Sequence, residues 1–219
     1  FKALGGAYAV ANLLIKKLNE QGIEANSFDL IAGTYSEITS KITVCCATDG
    51  NHGRSVAWGA EKFGCNCEIY IHRTVSVVRE EAIAKYGAIV NRIKGNYDES
   101  VRIAADVAEA NGYYVVSDTS YEGYTDIPKD VMQGYTVMVD EAMKQMEEVP
   151  THVFLQGGVG GFPAAVISYL VESMDCLPIF VVVEPTNADC LFQSAVNGEP
   201  TVVHGDLDTV MAGLALALI

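Results

Sequence analysis

The sequence predicts an α/β protein built from three-layer parallel-sheet units in two domains, on three observations. Short β-branched runs alternate with amphipathic helical stretches, half of the 219 residues are hydrophobic, and glycines punctuate the ends of helical stretches. Alternation of this kind is the mark of right-handed βαβ units, because two parallel strands need a crossover helix to return the chain.

The elements follow in order. After Gly5 and Gly6, residues 7–19 are apolar on most sides with Lys16 and Lys17 near the end, which reads as a well-buried helix. Residues 21–41 read as a loop. From Ile42 the text becomes regular: the run ITVCCAT, the helical stretch HGRSVAWGAEKFG, the run CEIYIH, the helical stretch VSVVREEAIAKYG, the run AIVNRI, the helical stretch DESVRIAADVAEANG and the run YYVVSD. Gly64, Gly87 and Gly112 stand where helix C-caps place a residue with positive φ. A longer helix is predicted over 128–148, with proline in its first turn, then the run THVFLQ, the loop GGVGG, a helix over 162–174 and the run PIFVVVE. Residues 41–126 are expected to form a smaller α/β domain inserted between 1–40 and 127–219, which are parts of a larger one.

Charge narrows the partners. Lys and Arg number 14 against 28 Asp and Glu, a net −14 that repels nucleic-acid and anionic-membrane phosphates. No apolar run approaches the roughly 20 residues of a membrane helix. The six cysteines include no C-x-x-C pair. They read as reduced, mostly buried thiols of a cytoplasmic protein, with neither metal nor catalysis assigned to them. The opening Phe1-Lys2 and the closing run ALALI give the chain the look of a fragment.

Three segments could carry chemistry. Gln156-Gly157-Gly158-Val159-Gly160-Gly161 lies between an apolar run and a helix, where backbone N–H groups and the helix dipole converge on an anion. A tight strand-to-helix turn without a ligand explains the same residues about as well. Glu184 stands near the distance of a ribose contact, which keeps a nicotinamide reading open. Thr48-Asp49-Gly50-Asn51-His52-Gly53 also follows a run and precedes a helix. Taken alone, an Asx cap by Asp49 or Asn51 is the simpler account, with His52 structural. In Phe1-Lys2-Ala3-Leu4-Gly5-Gly6, a lysine at the entrance to an apolar helix is ordinarily solvated. Cations are nevertheless disfavoured at a helix N-terminus, and a neutral amine there is what a Schiff base requires.

Lysine before a glycine-rich helix start, a G-N-H-G turn and a later G-G-x-G-G loop, in this order, resemble the tryptophan-synthase-like, fold-type II pyridoxal-phosphate enzymes. The segments FKALGGAYA, ATDGNHGRSVAWGA, SDTSYEGYTDIP, MQGY, THVFLQGGVGG, VEPTNADC and TVMAGLA are similar to those of diaminopropionate ammonia-lyases, and the resemblance covers essentially the whole chain. Asp49, two before Asn51, favours that group over threonine dehydratases and cysteine synthases. The segment IHRTVS departs from the usual continuation and puts the local loop shape in question.

The resemblance implies a pyridoxal 5'-phosphate cofactor bound to the larger domain, with Lys2 as the Schiff-base lysine and Asn51 the partner of its phenolic oxygen. It makes Gly157, Gly158, Val159, Gly160 and Gly161 the phosphate cup, and Asp49 and Asp118, with Lys2, the catalytic residues. It further implies a homodimer, a small amino-acid substrate, and α,β-elimination of 2,3-diaminopropionate to pyruvate and ammonia. A threonine or serine dehydratase, or a catalytically silent fragment of such an enzyme, stands as the alternative.

Overall fold

The structure is a computed structural model that describes residues 1–48, 50–205 and 207–215. Its contacts group into two compact units. The first comprises Phe1–Asp118 with Tyr124–Gly134, and the second Thr119–Gly123 with Tyr135–Ile219. Residues 1–40 thus share a unit with the segment that follows them.

The first unit holds helices α1 (Lys2–Asn19), α2 (Ser27–Ile31), α3 (Ser36–Thr39), α4 (Asn51–Phe63), α5 (Val77–Ala84) and α6 (Tyr97–Asn111). Its strands are β1 (Thr43–Ala47), β2 (Asn66–Ile71), β3 (Ile89–Arg92) and β4 (Tyr114–Val115), and it takes in the first part of helix α7 (Asp126–Gln145). The strands form one parallel sheet in the order β3-β2-β1-β4. Val44, Cys45 and Cys46 of β1 are wholly buried, as a central strand covered on both faces requires. Both α4 and α6 pack on β1 and β2. Cys45 and Tyr70 meet Ala104 and Ala108 of α6 in one cluster.

Helix α1 lies against α4, and their contact depends on small residues. A Cβ on Gly59 would stand 2.9 Å from the Ala7 Cα, and one on Gly6 would stand 2.8 Å from the Ser55 hydroxyl. In α7, a Cβ on Gly134 would stand 2.7 Å from the Gly5 Cα. This close approach explains why the helix begins at Lys2 instead of after the glycines: Gly5 and Gly6 are interior helical residues held in place by neighbours that need their missing side chains. Ser55 inserts into the first turns of α1, its hydroxyl donating to Ala3 O at 2.6 Å and accepting from Ala7 N at 3.0 Å.

Three local expectations change. Residues 21–41, read as loop, contain α2 and α3, and α2 opens with a capping box between Asn26 and Asp29. Gly64 and Gly112 are left-handed C-caps, whereas α5 ends earlier, at a Lys85 cap, and Gly87 forms the turn beyond it with φ +77°. The run YYVVSD yields only the two-residue β4, because its later polar groups bond to side chains in place of a strand.

The second unit contains β5 (His152–Gln156) and β6 (Ile179–Val183), parallel over five residue pairs, with α8 (Gly161–Ser173), α9 (Cys190–Asn197), the later part of α7 and a short 3-10 turn over 212–214. Its core joins Val139 of α7, Leu155 of β5, and Val166 and Leu170 of α8.

Gly134→Ala tests the α1 contact: the added methyl must displace backbone at Gly5 and Leu4. The variant is expected to lose about 1–3 kcal/mol of stability in urea unfolding of the intact protein, and an unchanged midpoint would contradict the packing described.

Candidate active site

The strand order reverses at β1. The chain runs from β1 to β2 to β3 on one side, then returns to put β4 on the other side of β1. Ligands of open α/β sheets bind beyond the carboxyl ends of strands at such a reversal. Register pairs Cys45 with Val115, so the segments that carry Thr48 and Asp118 leave the sheet at the same end.

Two residues selected in the sequence, Lys2 and Asp118, meet there, together with His52, which the sequence reading left as structural. The Lys2 ammonium is ion-paired with the Asp118 carboxylate, joining residues 116 positions apart. His52, in the first turn of α4, is buried at 4% exposure, with Nδ1 3.8 Å from the same carboxylate. Asp118 keeps 15% of its side-chain exposure and Lys2 keeps 39%, so the carboxylate is shielded while the amine remains accessible. The misplaced cation of the helix entrance is therefore compensated by an acid brought from β4.

The turn after β1 is organised by a residue that the sequence reading passed over. Thr48, buried, accepts from Gly50 N at 3.0 Å and Gly53 N at 3.2 Å through its hydroxyl, satisfying amides at the start of α4. Asn51, the other residue expected to cap here, is exposed at the head of α4 without a side-chain partner among the described residues. Asp49 lies outside the described residues.

Segment 115–118 is fastened by side chains as well as by the sheet. Val116 N donates to Cys45 O at 2.8 Å, and Val116 O lies 2.7 Å from His52 Nε2. The Tyr124 hydroxyl donates to Val115 O at 2.8 Å and accepts from Ser117 N at 2.9 Å. Backbone polar groups that a longer β4 would have paired are thus satisfied. Asp118 is delivered from a fixed point.

Burial pushes the Asp118 carboxyl up, but the facing His52, the Lys2 ammonium and hydrogen bonds outweigh it and bring the group down to about 2. Burial raises the thiols of Cys45 and Cys65 to about 12 and that of Cys46 well above its usual range. Such thiols are poor nucleophiles, in keeping with the absence of any assigned catalytic role. All six cysteines are free. No group of three or more His, Cys, Asp or Glu among the described residues could hold a metal ion.

The glycine loop belongs to the second unit. Gly157 N donates to Val183 O at 2.9 Å, extending the strand pairing, and a Cβ there would meet Leu191 at 2.6 Å and Val182 at 2.8 Å. Gly157 therefore shapes the loop by its lack of a side chain, with its amide already engaged. Gly160 takes φ +88° as the residue before α8. The amides of Gly158, Val159, Gly160 and Gly161 have no protein acceptor among the described residues, which leaves four donors leading into α8. Glu184, the possible ribose contact, is committed elsewhere: its carboxylate accepts from Leu191 N at 2.9 Å and Phe192 N at 2.8 Å at the start of α9.

The family described as Pyridoxal-phosphate dependent enzyme matches residues 1–218. The chain belongs to this family. Diaminopropionate ammonia-lyase of Salmonella typhimurium is 44% identical over 98% of the chain and 55% of its own length, and that of Escherichia coli is 44% identical over 98% and 54%. A crystal structure of the holo Escherichia coli enzyme matches all of the chain and 54% of its own at 40% identity with a TM-score of 0.88. Another, of the same enzyme in complex with an aminoacrylate-PLP azomethine reaction intermediate, matches with a TM-score of 0.82. Threonine deaminase of Solanum lycopersicum, 21% identical with a TM-score of 0.78, shares the fold. The chain spans about half the length of the curated relatives it matches. The α/β, fold-type II reading is borne out.

Asp118 gives this member of the family a defined acid-side behaviour. A depressed carboxyl contributes stability that is fully present above its unfolded value of 3.8 and is lost as pH falls toward about 2. Wild type is expected to lose roughly 2 kcal/mol across that window through this group, measured by urea unfolding of the intact protein at several pH values. Asp118→Asn should flatten that part of the profile; identical profiles would contradict the pairing.

Proposed function

We propose that the protein containing this chain is a pyridoxal-phosphate ammonia-lyase that converts 2,3-diaminopropionate and water to pyruvate and two ammonia. The observation that carries the reading is the Lys2 amine held against the shielded carboxylate of Asp118 at the reversal of strand order. The 44% identity to diaminopropionate ammonia-lyases supports the choice of substrate.

Each unit, taken by itself, offers groups of the kind the cofactor would use. Lys2 offers an accessible amine, Asn51 an uncommitted amide for the phenolic oxygen, and Gly158, Val159, Gly160 and Gly161 offer free N–H groups for the phosphate, with Gly157 giving the loop its shape. When bound, pyridoxal phosphate supplies the electron sink that makes the substrate Cα acidic.

Lys2 and Asp118 divide the proton work. Lys2 is the base at Cα on its own side, and once protonated it is an acid within reach of Asp118. With its carboxyl held near 2, Asp118 enters as a carboxylate, suited to orient a substrate ammonium or to accept a proton, and unsuited to donate one. Asp49 and Asp118 supply the opposite-face base and the ammonium partner between them, which accounts for the use of both D and L substrates. An amine leaves poorly unless protonated, so the β-amino group departs with a proton, and Lys2, protonated once it has taken the Cα proton, is the acid that supplies it.

The same reading takes residues 41–126 as the smaller domain of the intact enzyme, inserted between parts of the cofactor-binding domain at 1–40 and 127–219. It also takes the enzyme to be a cytoplasmic homodimer. Six free cysteines support a reducing compartment, and no helix among the described residues is long and apolar enough to cross a membrane.

The intact protein, loaded with pyridoxal phosphate, is expected to form pyruvate and ammonia in a ratio of one to two from D- or L-2,3-diaminopropionate. Asp118→Asn should lower kcat by about 10²–10⁴-fold, and Asp49→Asn should affect one enantiomer more than the other. Preferential formation of 2-oxobutyrate from threonine, or of pyruvate from serine, would assign the protein to the dehydratases instead.

A further inference from the structure

His52 is bound on one side only. Its Nε2 meets Val116 O at 2.7 Å, and since a carbonyl only accepts, that nitrogen carries a hydrogen. Nδ1 is then either a bare lone pair or a second N–H. Buried and without a hydrogen-bond partner among the described residues, it faces the Asp118 carboxylate at 3.8 Å. A bare lone pair opposite a carboxylate is repulsive, whereas an N–H there is attractive.

The surrounding charges sharpen the choice. Lys2 of α1 lies across the same carboxylate, and the nearby Cys46 thiol of β1 stays neutral because burial raises it. On α4 itself, Arg54 interacts with Tyr86. Among the described residues, Lys2 and His52 are thus the groups that can compensate Asp118. A lysine joined to a cofactor is no longer a free ammonium paired with this acid, which leaves His52 as the other described cationic group that faces it.

We propose that His52 is a positioning residue that carries a proton on Nδ1 toward Asp118, holding the carboxylate ionised and in place while Lys2 is engaged with the cofactor. This rests on the reading of Lys2 as the cofactor-bearing amine. The role is electrostatic, and it separates from the ring's structural bond to Val116: a glutamine at position 52 retains an N–H for that carbonyl and carries no charge.

The test uses the intact protein, wild type and His52→Gln, and follows the infrared carboxylic-acid band of Asp118, assigned by its loss in Asp118→Asn. In cofactor-loaded protein the band is expected to appear in His52→Gln at a pH at least about one unit higher than in wild type, a tenfold change in proton affinity. Coincident onsets would overturn the proposal, since a purely structural histidine predicts them. Should His52→Gln fail to fold, wild type decides alone. Loading with pyridoxal phosphate is expected to leave the onset within about half a unit of that in cofactor-free protein, and a rise of one unit or more would show that Lys2 had been the only compensating charge. Borohydride trapping separates the two readings. No trapped Lys2 overturns both, while trapped Lys2 with coincident onsets overturns the role of His52 alone.

Discussion

The ion pair between Lys2 and Asp118 is the contact on which the first unit's arrangement converges, since it joins the head of α1 to the loop beyond β4. Neither partner could hold that position alone. Lys2 is placed because α1 lies tight against α4 through Gly6, Gly59 and the Ser55 hydroxyl. Asp118 is placed because β4 pairs with β1 and the following backbone is fastened by His52 and Tyr124. The sheet order does the rest, by making β1 and β4 neighbours where the strand order reverses.

Much of the fold was legible because the pattern that encodes it is local. The alternation from ITVCCAT to YYVVSD corresponds element by element to β1 through β4 with α4, α5 and α6 between them. What was not legible depended on contacts made at a distance. Gly5 and Gly6 looked like a boundary because glycine is a weak helix former, yet they lie inside α1, where a Cβ on Gly6 would meet the Ser55 hydroxyl and Gly5 is the close neighbour of Gly134. Residues 21–41 looked like loop because two short helices bury few side chains; the Asn26–Asp29 capping box was the signal that could have found α2.

The site divides along the same line. Lys2 and the glycine loop could be singled out from local sequence, Asp118 only through the family resemblance, and Lys2 and Asp118 are in contact. Thr48 and His52 could not, since a threonine before an Asx-rich turn and a single histidine have many structural explanations. Only the partners reveal them: two amides on the Thr48 hydroxyl, and a carbonyl and a carboxylate on either side of the His52 ring. The glycine loop also proves less uniform than its sequence, with the amide of Gly157 spent on strand pairing and the next four free.

The central claim is that Lys2 is the amine that takes the cofactor. It is tested most directly by loading the intact protein with pyridoxal phosphate, reducing with borohydride and mapping the modified peptide. The account predicts one stable adduct, on Lys2, and its disappearance in Lys2→Ala. An adduct on another lysine, or none despite bound cofactor, would contradict it.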